Sequence, residues 1–260
     1  VFAYPVELVS ELTKQGIKAD IATFYQSDEE IDKRVKRLNF DLYPIGSESR
    51  FDLFAYRQIS ELLRSKEYDL VHTHSNFNGS IMRLQAAAHG TPIIHTEHAQ
   101  HNSFSSTQRA VDYLSYPITD GIITNSLQTF KSIRWYAKYL NNASVEVIHN
   151  GVDQKRIKSI QEVPEDLPEP PFIIGVGRFI PSKNYDTLVK AFKQLRDQGN
   201  TDLSLVLVGY GDEREYLEKK AQSLGVRDMV VFTGRLSRPE VFGAIDSADV
   251  FAHPSESEIG

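Results

Sequence analysis

Apolar and polar positions along the chain fall into short β-branched runs separated by longer amphipathic stretches. The runs predict strands over Ile17 to Phe24, Asp69 to His74, Pro92 to His95, Gly121 to Asn125, Val145 to His149, Phe172 to Val176, Leu203 to Val208, Val230 to Thr233 and Val250 to Ala252. Several of these are continuously apolar, as expected of strands covered on both faces. The amphipathic stretches predict helices over Phe51 to Lys66, Ser80 to His89, Leu127 to Leu140, Tyr185 to Arg196, Glu213 to Leu224 and Pro239 to Ile245. Strand and helix alternate, which predicts an α/β protein with parallel sheets flanked by helices. No period of roughly 20–50 residues repeats, which argues against a solenoid.

One segment breaks the rhythm. Between Val163 and Pro171 four prolines occur in nine residues, and proline fixes φ and removes a backbone donor, so this stretch reads as an extended connector. It predicts a boundary between a domain at 1–165 and a shorter one at 166–260; a proline-rich surface loop inside a single domain is the alternative.

Composition narrows the class. The 260 residues are 40% hydrophobic and 25% charged, which predicts a soluble globular protein. No cysteine is present, which removes disulfides and thiolate chemistry and points to a reducing, cytoplasmic setting. Residues 1–165 hold 18 basic and 20 acidic side chains and residues 166–260 hold 11 and 15, so neither half has the basic balance of a nucleic-acid binder. No apolar run reaches the roughly 20 residues that span a bilayer.

In an open parallel sheet, ligands collect beyond the carboxyl ends of the strands. Those positions are polar here: His72-Thr73-His74-Ser75, His95-Thr96-Glu97-His98, Asn125-Ser126, His149-Asn150-Gly151, Gly209-Tyr210-Gly211-Asp212 and His253-Pro254-Ser255. The segment Gly175 to Asn184 follows a strand and precedes a helix; its glycines permit close backbone approach, and Arg178 and Lys183 supply two cations. This predicts a polyanion site suited to a diphosphate, with a solvated glycine turn as the alternative. Gly175 and Gly177 are not followed by the third glycine of a dinucleotide fingerprint, and no Walker loop is present. Metal ligation by His95, His98 and His101 is disfavoured, because three-residue steps along a strand and loop do not converge.

The order and spacing of several pieces resemble the family 4 glycosyltransferases of the GT-B fold. They are Val147 to Asp153, the Gly-Arg-x-x-x-x-Lys-Asn pattern from Gly177 to Phe192, Leu205 to Gly211, Val231 to Arg235, Ala248 to Phe251 and Pro254 to Glu258. Asp69 to His74 and Asp120 to Ser126 fit the first half of the family. The resemblance implies two Rossmann-like domains facing a cleft. It also implies a retaining, metal-independent transfer of sugar from a nucleotide diphosphate, most often a UDP-sugar, to a glycan or lipid-linked acceptor hydroxyl, with no cofactor. The sequence contains no Asp-x-Asp, the motif that holds a cation in transferases of the other main fold.

Residue by residue, the resemblance makes Arg178 and Lys183 the diphosphate pair. His98 matches the histidine near the donor sugar, with His74 in the same cleft. Asn150, Gly151 and Asp153 match the loop at the domain junction. Gly177, Gly209 and Gly211 border the donor, and Arg235 frames the base or stays solvated. Glu258 matches the first of two donor glutamates, the second falling beyond Gly260. The family's first strand and final helices are absent from the 260 residues, so the expectation is the central part of a longer enzyme with an incomplete second domain. A membrane-facing surface is expected at Lys33 to Arg37, or at Lys131, Arg134 and Lys138 with Trp135, Tyr136 and Tyr139; a plain solvated face is the other reading. A sugar-nucleotide-binding subunit without catalysis is the alternative function.

Overall fold

In the computed structural model the described residues are 3–25, 40–137, 144–159 and 161–255. The chain divides into two compact units, Val1 to Asn150 and Gly151 to Glu258. This division precedes the expected 165/166 boundary. The reason lies in residues 151–165: the short helix Gln154–Ser159 packs on the helix Arg238–Ser247, and the Glu162 N–H donates to the Pro239 carbonyl. A Cβ on Gly243 would stand 2.2 Å from the Glu162 carbonyl oxygen, so glycine lets that helix lie directly on the connector.

The first unit begins with helix α1 (Ala3–Lys14), followed by β1 (Ile21–Thr23) and β2 (Leu42–Pro44), which pair in parallel. Helix α2 (Leu53–Lys66) is capped by Asp52, whose carboxylate accepts from the Phe54 and Ala55 N–H groups. A four-stranded parallel sheet follows, in the order β3 (Val71–Thr73), β4 (Ile93–Glu97), β5 (Gly121–Thr124) and β6 (Ser144–Val147). Its crossovers are α3 (Phe77–Ala88), α4 (Ser106–Ser115) and α5 (Leu127–Ala137). The apolar part of this core joins Tyr56, Ile59 and Leu63 of α2 to Val71, Ala86 and Ile93.

The second unit starts with α6 (Gln154–Ser159) and carries a parallel sheet in the order β10 (Val250–Phe251), β7 (Phe172–Val176), β8 (Ser204–Val208) and β9 (Val230–Gly234). The continuous apolar runs are explained by burial on both faces. Ile173, Leu205 and Leu207 pack with α7 (Tyr185–Asp197) and α8 (Arg214–Ser223) through Leu188, Val189, Phe192 and Leu217. The alternate residues Phe172, Ile174, Val206 and Val208 pack on the opposite side with Ala244 of α9 (Arg238–Ser247).

Candidate functional site

The loops that leave β7, β8 and β9 are laced together at the carboxyl end of the second sheet. The Gly177 N–H donates to the Val208 carbonyl at 2.9 Å, the Phe179 N–H to Tyr210 at 2.8 Å, and the Gly209 N–H to Gly234 at 2.9 Å. Two glycines make this possible. A Cβ on Gly209 would lie 1.8 Å from the Gly177 carbonyl oxygen, and one on Gly211 would lie 2.4 Å from that of Phe179; their φ values are 147° and 150°.

Arg178 at this junction is exposed while its neighbour Phe179 is buried. Lys183 ends the one-turn helix Pro181–Lys183, and Asn184, left-handed at φ 53°, starts α7. Ser255 donates to the Ser182 carbonyl at 3.0 Å, bringing the segment after β10 onto the same turn. Arg235 lies over the Tyr210 ring, 5.6 Å from its centroid. Gly177, Arg178, Lys183, Gly209, Gly211 and Arg235 therefore occupy one strand-end cluster. Glu258 lies outside the described residues.

In the first unit, the two-residue period of β3 and β4 splits the polar strand ends between two faces. The even-numbered residues form one group. His74 Nδ1 and His98 Nε2 are 3.1 Å apart, His72 Nε2 and Thr96 Oγ1 2.8 Å apart, and the His72 and His74 rings lie at 4.2 Å. Tyr4 of α1 meets His74 and His98 edge-on at 5.7 and 5.5 Å. Asn125, after β5, donates to the His98 carbonyl at 3.1 Å and fixes the backbone there. Burial lowers the pKa of His72 to about 4 and of His74 to about 2, with neighbouring histidines adding to it. Burial also lowers His98, against an upward pull from Glu97.

The odd-numbered residues Thr73, His95 and Glu97 face the opposite way, into a buried polar network with α3 and α4. Arg83 and Asp112 form a salt bridge at 2.8 Å with both side chains 0% exposed. Arg83 also donates to Ser115 Oγ and to His95 Nδ1 at 2.9 Å. A guanidinium only donates, so His95 Nδ1 accepts and its proton sits on Nε2, 3.6 Å from Glu97 Oε2. Tyr116 donates to Glu97 Oε2 at 2.9 Å, His101 Nε2 is 3.2 Å from it, and Asn76 bridges Glu97 and Asp112. Burial acts to raise the Glu97 carboxyl, but hydrogen bonds to His101 and His95 outweigh it and hold it below the ordinary range. Glu97, His101 and Asp112 place ligand atoms within 4.8 Å of one another. The Glu97 and Asp112 oxygens and His101 Nε2 already serve Arg83, Ser80, Asn76 and Tyr116, so the group reads as a buried structural network, in which His95 Nε2 and His101 Nδ1 are left without a close hydrogen-bond partner.

His95, His98 and His101 do not converge: His98 turns to His74, while the other two flank Glu97. Asn150 and Gly151 are exposed, at the end of one unit and the start of the next, and a Cβ on Gly151 would meet nothing within 4 Å. Packing within the protein does not demand glycine there. His149, just before them, lies with Nδ1 3.0 Å from the Asn125 carbonyl, to which it donates. Of the expected basic surfaces, residues 33–37, 138 and 139 lie outside the described residues. Trp135 is 56% exposed and meets Tyr113 edge-on. Among the described residues no helix is long and apolar enough to cross a membrane.

Sequence reasoning missed the Arg83, Glu97 and Asp112 network. One signal was available: Ser105 and Gln108 form a capping box that announces α4, the helix carrying Asp112.

Two parallel α/β units with polar strand ends define the GT-B class of protein, and solved GT-B glycosyltransferases share the fold. The model of Glycosyltransferase Family 4 matches residues 1–156 and that of Glycosyl transferases group 1 matches residues 156–260. The chain belongs to glycosyltransferase family 4. The crystal structure of Anabaena Alr3699/HepE in complex with UDP superposes with a TM-score of 0.74 at 17% identity, covering 97% of this chain and 70% of that one. The alpha-monoglucosyldiacylglycerol synthase of Streptococcus pneumoniae is 25% identical across 96% of this chain and 62% of its own. The GDP-mannose-dependent alpha-(1-6)-phosphatidylinositol monomannoside mannosyltransferase of Mycobacterium tuberculosis (strain H37Rv) is 32% identical across 53% of this chain and 37% of its own. The chain thus spans between about a third and two thirds of these two relatives.

Proposed function

We propose that the whole protein moves a sugar from a UDP-sugar to a hydroxyl of a glycan or lipid-linked acceptor, with retention at the anomeric carbon and without a metal ion or cofactor. The observation that carries this reading is the laced junction of Gly177, Gly209 and Gly211 with Arg178 and Lys183 beside it. Backbone stripped of Cβ atoms admits a diphosphate closely, the start of α7 adds N–H groups, and two cations stabilise the leaving group as charge builds on it. Arg178 and Lys183 bind the diphosphate, Arg235 on Tyr210 frames the base, and Glu258 contacts the donor sugar. His98 stands beside the reacting carbon, with His74, Asn150 and Gly151 on the acceptor side.

The names of the pneumococcal and mycobacterial relatives support a lipid-linked acceptor, and with it a protein working at the cytoplasmic face of a membrane. Titration of the full-length protein with UDP, GDP and NADH tests the donor class: tight binding of UDP alone, lost in Arg178→Ala, is expected. Preference for NADH sinks the reading. NMR of the product gives the anomeric outcome, and turnover in EDTA gives metal dependence. UDP binding with neither transfer nor donor hydrolysis leaves a non-catalytic binding subunit instead. Sedimentation with anionic and neutral vesicles tests the membrane contact.

A further inference from the structure

The even-numbered face of β3 and β4 holds a hydrogen bond between two histidines that the transferase reading does not use. His74 Nδ1 and His98 Nε2 stand 3.1 Å apart, which allows one proton between them and forbids two. His98 has two ring nitrogens, so engagement of Nε2 leaves Nδ1 for a ligand. If His74 donates, His98 carries its own proton on Nδ1 and offers a donor there. If His74 accepts, the His98 Nδ1 is bare and offers an acceptor. The state of His74 therefore decides what His98 presents to an incoming sugar hydroxyl.

The surroundings hold this pair in place. The His72 ring covers His74 at 4.2 Å, with its own Nε2 tied to Thr96. Tyr4 closes both rings from α1, and Asn125 fixes the His98 carbonyl. Glu97 and His95 lie behind the strand, on the opposite face.

We propose that His74 is a positioning residue that sets the ring orientation and tautomer of His98, backed by His72, whose ring lies tilted against it. This rests on the transferase reading, in which His98 stands beside the donor sugar. Burial keeps both rings neutral at pH 7, which suits a hydrogen bond carrying a single proton.

The test uses the full-length protein with His74→Leu, His74→Asn, His74→Gln and His98→Ala. An Asn amide places a polar atom where His74 has Nδ1; the longer Gln does not. Expected results are a 10- to 100-fold fall in kcat for His74→Leu with UDP affinity unchanged, recovery to within about threefold in His74→Asn, and no recovery in His74→Gln. Nitrogen-15 ring shifts of His98, read without donor, are expected to show one tautomer in the native protein and an averaged mixture in His74→Leu. Unchanged His98 shifts in a folded His74→Leu protein overturn the proposal, as does full activity of that variant alongside an inactive His98→Ala. Full activity of His98→Ala overturns the role of His98 in the transferase reading, while the ring shifts still decide whether His74 sets its tautomer.

Discussion

Asp120 and Ile93 exchange two hydrogen bonds across neighbouring strands. The Ile93 N–H donates to the Asp120 carboxylate at 2.7 Å, and the Asp120 N–H donates to the Ile93 carbonyl at 2.9 Å. Asp249 and Phe172 repeat the arrangement in the second unit, at 2.9 and 3.2 Å. In both cases the aspartate immediately precedes one strand and ties the first residue of the next, so it sets the parallel register at the end of the sheet away from the site.

Removing this tie lowers stability without touching the strand-end loops. Asp120→Ala and Asp249→Ala are each expected to cost about 1.5–3 kcal/mol, since a charged acceptor is lost from a part-buried N–H. The Asn variants keep an acceptor oxygen and lose less. Urea denaturation of the four variants reads this directly.

Arg83→Met leaves Asp112 in a site with no access to water. Loss of one partner from a fully buried ion pair is expected to destabilise the first unit by about 3–5 kcal/mol. Replacing Arg83 and Asp112 together by Met and Leu recovers part of that loss. A double-mutant cycle by chemical denaturation gives the coupling.

Acid weakens the fold through the histidines. The unfolded chain binds protons below about pH 6.5, whereas His72 resists until about 4 and His74 until about 2. The unfolded state then holds more protons, so their stabilisation is complete above pH 6.5 and is lost as pH falls toward those values. The limiting slope is about 1.4 kcal/mol per pH unit for each histidine, reduced by solvent screening at half-buried rings. The depressed Glu97 carboxyl acts in the same direction below about pH 4.5. A pH series of melting curves, flatter in the double variant His72→Asn with His74→Asn, checks the sign.

Gly209→Ala drives a methyl group into the Gly177 carbonyl, and at least about 2 kcal/mol of destabilisation together with loss of UDP binding is expected. Gly90→Ala is the control. It also has a positive φ, 73°, but meets nothing within 4 Å, so only backbone strain of about 1–2 kcal/mol remains and nucleotide binding is untouched. Calorimetry with UDP separates the two.

Arg178→Ala and Lys183→Ala each remove one cation from the proposed diphosphate site. A fall in turnover of about 100- to 1,000-fold is expected, with the melting temperature retained for the exposed Arg178. Steady-state kinetics on the full-length enzyme checks it; native turnover in either variant contradicts the assigned role.

Most strands were legible because their signal is local. The runs at Phe172 to Val176 and Leu203 to Val208 are apolar without interruption, and the structure buries both faces of each. Four of the described strands and α-helices were not: β2, three residues long, and the helices α1, α4 and α6. Helix α4 carries the buried Asp112 on what reads as a polar segment, since its partner Arg83 lies 29 positions earlier. The expected helix from Ser80 begins at Phe77: Ser75 Oγ accepts from the Gly79 N–H in its first turn, and Asn76, whose side chain makes no cap, is held by donating to Asp112, contacts that periodicity does not reveal.

The sequence alone determined the alternation of parallel strands and helices, the polar strand ends, and the two cations after β7, because each depends on residues close along the chain. Tertiary structure decided what the histidines do. His95 and His98 read as one cluster in sequence, yet the pleat of β4 sends His95 inward to Arg83 and Glu97 while His98 meets His74 on the opposite face. Only the pairing of β3 with β4, and the packing of α1 on one face and α3 with α4 on the other, gives those side chains their partners.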